Sequence, residues 1–180
     1  MALRLLSTIS SVGIRKVSMD DEYIERVLSG ETNAFRYFLT TYKDMAFNIA
    51  VSIVKADHYA EEIVQDAFMK AFNGLKNFNK TAKFKSWFYR IIVNESFQRL
   101  RKLKKENTLF EITEVQDLHL ALVDEVADAE KELAIRLIKS LPAKEGLALN
   151  LFYLEENSLK EIAEITGWTV ANVKVILHRA

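Results

Sequence analysis

Five glycines and one proline in 180 residues constrain this chain more than any other feature. Each tight turn of a β-sandwich or barrel needs a residue that tolerates positive φ or arrives with φ preset. So few of them cannot serve the many turns such a fold requires, and the chain is expected to be all-α. With 25 Lys+Arg against 25 Asp+Glu and 49% hydrophobic residues, the length suits one domain or two small ones. The absence of cysteine removes any disulfide framework or thiolate metal site and fits a reducing compartment. His58, His119 and His178 lie too far apart in sequence to suggest a zinc cluster. No apolar run approaches the roughly 20 residues that cross a bilayer, so membrane insertion is not expected.

The zero net charge conceals segregation. Residues 1–69 carry −3, residues 70–105 carry +10 with Glu95 as their one acid, residues 106–164 carry −9, and residues 165–180 carry +2. Residues 1–18 contain Arg4, Arg15, Lys16 and four serines but no acid, superficially a transit peptide. Met19 is followed by Asp20, Asp21 and Glu22, an acidic first turn that suits the helix dipole. Met19 is therefore expected to be the true start, and residues 1–18 a disordered extension.

From Asp20 the helices follow quickly. Asp20–Ser29 reads as a short helix stopped at Gly30. Asn33 is expected to cap a second, whose stripe is Phe35, Phe38, Leu39, Tyr42, Met45, Ala46, Ile49 and Ile53. Asp57 is expected to cap a third, with Ala60, Ile63, Val64, Ala67, Phe68 and Ala71 inside and Glu61, Glu62, Gln65 and Asp66 outside, ending near Gly74. After a loop, a fourth helix over residues 84–105 buries Phe84, Phe88, Ile91 and Ile92 and carries most of the basic block. Residues 106–127 hold six acids and no lysine or arginine, without sustained period, and read as a linker. Four more helices are expected over residues 128–140, 142–155, 158–166 and 169–180, with Pro142 at a first helical position. The predicted architecture is two small helical domains, residues 19–105 and 128–180, joined by the acidic linker 106–127.

The C-terminal stretch SLKEIAEITGWTVANVKVILHRA carries a helix-turn-helix pattern. Such a unit needs a small residue where its helices cross, a turn residue that accepts left-handed φ, and apolar residues seating the second helix. Ala163, Gly167, and Val173 with Ile176 and Leu177 meet those needs in register. The outward positions of the second helix are Thr169, Asn172, Lys174, Val175, His178 and Arg179, which such a unit presents to a DNA major groove; a plain helical hairpin is the competing reading. On the fourth helix, Lys83, Trp87, Arg90, Asn94 and Arg101 share one side. Cations around an indole beside a basic loop suit unpaired bases, stacked on the ring while their phosphates are held. Taken alone, Trp87 reads more readily as a core residue; the downstream DNA-binding unit favours the interface.

Three segments in order, AEEIVQDAFMKAF (60–72), KFKSWFYRIIVNES (83–96) and residues 141–180, resemble the extracytoplasmic-function group of the bacterial sigma factors, over nearly the entire chain from Met19. The resemblance implies a cytoplasmic transcription initiation factor with no catalytic residue, cofactor or metal. Its partners would be core RNA polymerase (the β′ clamp helices and the β flap), promoter DNA and an anti-sigma factor. Carried onto this sequence, it places polymerase binding on Glu62, Gln65, Asp66 and Met69, and reading and melting of the −10 element on Asn79, Lys80, Lys83, Trp87, Arg90 and Asn94. The −35 element falls to the helix-turn-helix of residues 128–180, and the acidic linker to a channel that later holds RNA. Two departures stand out. Ile176 replaces the family's usual arginine and Val175 a usual small residue, which points to an unusual upstream element, and the family's last helix commonly continues beyond Ala180 with more basic residues, which points to truncation.

Two other readings remain open from sequence. One is a stand-alone helix-turn-helix regulator that binds duplex DNA without polymerase. The other is a metal-dependent nuclease built on Glu61, Glu62 and Asp66, although adjacent helical carboxylates usually form a solvated face, and no phosphate-binding glycine loop or nucleophile motif accompanies them.

Overall fold

The computed structural model describes residues 18–109 and 126–180, so the N-terminal extension and most of the expected linker lie outside the described residues. Within them the chain is helical throughout, with no strand. The first unit comprises α1 (Met19–Leu28), α2 (Arg36–Val54), α3 (Asp57–Gly74) and α4 (Phe84–Leu109). The second comprises α5 (Val126–Ser140), α6 (Ala143–Leu149), α7 (Leu159–Thr166) and α8 (Val170–Arg179). α4 thus runs four residues into the segment expected to be linker, and α5 starts two residues early.

Local chemistry explains the boundaries. Ser18 and Asp21 form a reciprocal capping box, Asp21 N–H donating to Ser18 Oγ (3.1 Å) and Ser18 N–H to Asp21 Oδ2 (3.2 Å). Asn33 does not cap α2: it sits inside a 3₁₀ turn, Thr32–Phe35, that feeds directly into that helix. Asp57 is the first residue of α3, and Ala56 holds the cap position without a side-chain bond. Pro142 occupies the cap of α6 rather than its first turn. The long helix expected over residues 142–155 is α6 continued by a π-helical turn, Asn150–Leu154, closed by Glu155 N–H donating to Asn150 O (3.0 Å). Within that turn the buried Asn150 donates from Nδ2 to Asn48 O on α2 (3.1 Å).

The first unit is an aromatic core between α2, α3 and α4. Phe38 and Phe84 have ring centroids 4.2 Å apart, and Phe68 and Phe88 4.6 Å. Tyr37 and Tyr42 both donate to the Asp20 carboxylate (3.0 and 2.7 Å), tying α1 to α2. Burial among that carboxylate and the aromatic rings pushes the Tyr42 hydroxyl well above its ordinary range. The predicted stripes are buried with three exceptions at their margins: Leu39 is exposed, and Val64 and Ile91 are partly covered.

The second unit packs directly on the first. Leu147, Leu151, Ile162, Ile165 and Val173 belong to one continuous buried cluster with Ile49, Phe88 and Ile92. Gly146 lies at the seam: a Cβ there would stand 3.0 Å from Ser52 O and 2.9 Å from Lys55 Nζ. Lys55, left-handed at the end of α2 (φ 66°), donates from Nζ to Ser52 O and to Ile138 O (3.0 Å), and burial pushes its amine down to about 8.

Candidate nucleic-acid interface

The loop before α4 is preset by its own side chains. Asn79 Oδ1 accepts from Thr81 N–H (3.2 Å) and Thr81 Oγ1 (2.8 Å), a turn that stands Lys80 at φ 55°. Lys80 then pairs with Glu25 of α1 (3.0 Å), so part of its charge is already answered. Behind the loop lies a cavity of about 240 Å³ lined by Asn77, Phe78, Asn79, Thr81, Ala82, Trp87 and Arg90. Trp87 is half-buried, its ring 4.9 Å from Phe78 and 5.6 Å from Phe84, and it lies against Gly74. The indole thus belongs to the edge of the core and also walls the cavity. Lys83, Arg90, Asn94 and Arg101 are exposed along the predicted side of α4. Glu95, the one acid of the basic block, pairs with Lys70 of α3 (2.6 Å), off the stripe. What remains is a cationic strip bordered by an aromatic wall, a composition suited to an unpaired strand.

The second surface is the helix-turn-helix formed by α7 and α8. Ser158 and Glu161 make a capping box, Glu161 N–H donating to Ser158 Oγ (3.3 Å) and Ser158 N–H to Glu161 Oε2 (2.8 Å). These bonds, with the nearby charges of Lys83 and Lys85, hold the Glu161 carboxyl below its ordinary range. Gly167 takes the left-handed turn at φ 74°, its N–H donating to Ala163 O (2.9 Å). Thr169 caps α8 by accepting from Asn172 N–H (3.2 Å). Val173 and Ile176 are buried, whereas Thr169, Asn172, Lys174, Val175, His178 and Arg179 are all exposed. Ile176 is therefore a packing residue, and of the two positions that differ from the family's usual residue types only Val175 lies on the outward face.

On α3, Glu62, Gln65, Asp66 and Met69 are exposed. Glu62 is engaged by Arg99 (2.8 Å), whose guanidinium also lies 4.5 Å over the Tyr59 ring. Met69 borders an apolar groove of about 620 Å³ between α2 and α3, floored by Val64 and Phe68 and flanked by Leu39, Arg36 and Lys43. Sequence reasoning assigned Leu39 to the core. Its place at the margin of the α2 stripe was the available signal, because a residue there can face outward while its neighbours pack. Among the described residues no cluster of His, Cys, Asp or Glu could hold a metal ion. No helix among them is long and apolar enough to cross a membrane.

Among the described residues, then, a basic, aromatic-edged face on one helical unit accompanies a helix-turn-helix on the other. Comparison with known proteins identifies the family. The sigma-70 region 2 profile matches residues 38–106, and the sigma-70 region 4 profile matches residues 131–180. The ECF RNA polymerase sigma factor SigW of Bacillus subtilis is 31% identical over 167 residues, covering 87% of this chain and 89% of that protein. The ECF RNA polymerase sigma-E factor of Haemophilus influenzae is 30% identical over 172 residues, covering 89% and 90%. The fold also matches the sigma factor RpoE of Bartonella quintana, solved in complex with the anti-sigma factor NepR. There the TM-score is 0.64 at 24% identity, with 81% of this chain and 90% of that chain covered. The chain belongs to the extracytoplasmic-function group of the sigma-70 family. It is an RNA polymerase sigma factor, a transcription initiation factor and not an enzyme.

Proposed function

We propose that the two matched regions divide the work of initiation between them, with residues 19–105 as the polymerase-docking and −10-reading unit, 106–127 as a linker and 128–180 as the −35 reader. The observation that carries this reading is the separation of exposed faces on the first unit. α3 offers acids beside an apolar groove, and α4 offers cations beside an aromatic wall. A protein partner is suited to the first face and a nucleic acid to the second.

In this reading Gln65, Asp66, Met69 and the groove edge Leu39 receive the β′ clamp helices, with Glu62 contributing through its pair with Arg99. The second unit meets the β flap. An unstacked base of the −10 element enters the loop cavity against Trp87 while Lys83, Arg90 and Asn94 follow the strand; Asn79 and Lys80 set the loop's shape and charge. α8 lays Thr169, Asn172, Lys174, Val175, His178 and Arg179 along the −35 major groove. An anti-sigma partner is supported by the solved complex of RpoE with NepR, and a cytoplasmic location by the polymerase itself.

Reconstituted transcription with core polymerase on a promoter pool tests the whole reading. Promoter-selective transcripts are expected, and duplex binding that is indifferent to polymerase would favour a stand-alone regulator. Within it, Asp66→Lys reverses a Coulomb contribution on the docking face and should weaken capture of core enzyme roughly tenfold, about 1.4 kcal/mol. Unchanged capture in a titration would remove that face from docking and leave the DNA assignments standing.

A further inference from the structure

We propose that Glu25 of α1 is a positioning residue that sets the selectivity of strand reading: through Lys80 it holds the loop before α4 in shape and keeps that cation off the phosphate backbone. The role assigned to Glu25 rests on the function proposed above, in which the loop cavity receives an unstacked base of the −10 element. Lys80 Nζ donates to Glu25 Oε1 at 3.0 Å, although the two residues are 55 positions apart in the chain. Of the three cations assigned to the strand, Lys80, Lys83 and Arg90, Lys80 alone is held in an ion pair among the described residues. The sigma-70 region 2 profile begins at residue 38, so the pair joins a helix outside the matched region to a loop inside it.

Both ends of the pair are fixed by their neighbours. α1 is anchored on α2 by Asp20, which accepts from the Tyr37 and Tyr42 hydroxyls, and by Tyr23, whose ring stacks on Tyr37 at 4.1 Å. Arg26, the cation next to Glu25 on α1, is already engaged by Glu31 through bonds of 2.9 and 2.6 Å. The Glu25 carboxylate therefore answers Lys80 and not its own helix. On the loop, Asn79 Oδ1 accepts from Thr81 N–H and Oγ1, and Lys80 stands at φ 55°. A non-glycine residue in the left-handed region persists where its surroundings hold it. The Asn79 turn supplies the local hold, and Glu25 supplies the one from across the unit.

Two consequences follow for an unpaired strand, and they act in opposite directions on matched and unmatched sequences. Phosphate contacts carry no sequence information, so a Lys80 released from Glu25 would strengthen binding of every strand alike. A loop released from α1 would no longer present its cavity of about 240 Å³ ready-made, and only a strand whose base enters against Trp87 would lose by that. Loss of Glu25 thus favours unmatched strands and leaves the matched one little changed. The Glu25 side chain is 69% exposed, so the pair has the weight of a surface ion pair, a few-fold in an equilibrium constant.

Holoenzyme assembled from core polymerase and the full chain is titrated with single-stranded oligonucleotides that carry either the selected −10 sequence or scrambled versions of it. Glu25→Gln should tighten binding of the scrambled strands about threefold, leave the matched strand nearly unchanged, and so lower the preference about threefold. The slope of log K against log salt should steepen by about 0.7 as Lys80 takes up a phosphate. Glu25→Asp, which keeps the charge within reach of a flexible lysine, should retain the preference to within about twofold of the parent. In a Lys80→Gln background, Glu25→Gln should have no further effect, because the pair is already gone. Amide exchange at Thr81 in the free chain, followed by nuclear magnetic resonance, should quicken a few-fold in Glu25→Gln. A parent with sequence preference that Glu25→Gln leaves unchanged, or an equal effect of Glu25→Gln with and without Lys80, overturns the role of Glu25 alone. A parent holoenzyme with no preference among strands overturns strand reading itself, and the role of Glu25 with it, even where Thr81 exchange responds.

Discussion

The two reading surfaces are built in opposite ways. On α4 the side chains proposed to meet DNA share the helix with a dense aromatic core, and Trp87 belongs to both, packed on Phe78 and Phe84 while walling the loop cavity. On α8 the division is clean: Val173 and Ile176 are buried, and all six outward residues are exposed. Where a residue serves core and surface together, function and stability cannot vary independently. Where the faces are separate, a reader can change specificity at little structural cost. The first unit is thus expected to be conservative in what it reads, and the second adaptable.

The strongest break of that contrast comes from the core beneath α4. Phe88 is fully buried among Tyr42, Phe68 and Phe84, and Phe88→Ala should cost about 3–5 kcal/mol in thermal or denaturant unfolding. A cost under about 1 kcal/mol would show that the first unit does not depend on its aromatic core. Trp87→Ala comes next. It removes a stacking face worth roughly 1–3 kcal/mol per base, so permanganate reactivity of the opened strand should fall more than closed-complex formation. Unlike a purely surface change it should also lower the melting temperature, and Trp87→Phe should recover most of that loss. Equal losses in opening and in closed-complex formation would return the indole to the core alone.

Smaller effects sharpen the other side of the comparison. Gly167→Ala places a Cβ at φ 74° in the turn between α7 and α8, with about 1–2 kcal/mol of strain expected. It should weaken duplex binding through misplacement of α8 while leaving strand opening by the first unit intact; an unchanged melting temperature together with unchanged duplex affinity would contradict the turn's role. Lys174→Ala should be the mildest. If Lys174 neutralises one phosphate, affinity falls about equally for all upstream sequences and the slope of log K against log salt flattens by about one unit. Loss confined to one sequence would make Lys174 a base reader instead.

Much of this was legible in the sequence because it depends on neighbours three and four residues apart. The helix succession, the acidic first turn at Asp20–Glu22, the glycine turn at 167 and the outward set on α8 all arise from local spacing and capping. The misassignments share a different cause. Leu39 has the composition of a core residue and faces a groove, because only the position of α3 decides which edge of the α2 stripe is covered. Asn33 has the chemistry of a cap, but the 3₁₀ turn already leads into α2. The π-helical turn at Asn150 coincides with a bond to Asn48, about a hundred residues earlier in the chain, which no local pattern announces.

An all-helical chain, the sorting of its charge, most of each buried stripe and the family to which those patterns belong can be read from the order of residues alone. These are set by short-range propensity and by the 3.6-residue period, and both are present in the order of residues. Packing of the helices settles that Glu95 turns its charge toward Lys70, that Trp87 is half core and half wall, and that Glu155 reaches Tyr89 and Lys85 across the two units. A carboxylate's partner depends on which surfaces desolvate it and which donors converge there, and that convergence exists only once helices distant in sequence have packed together.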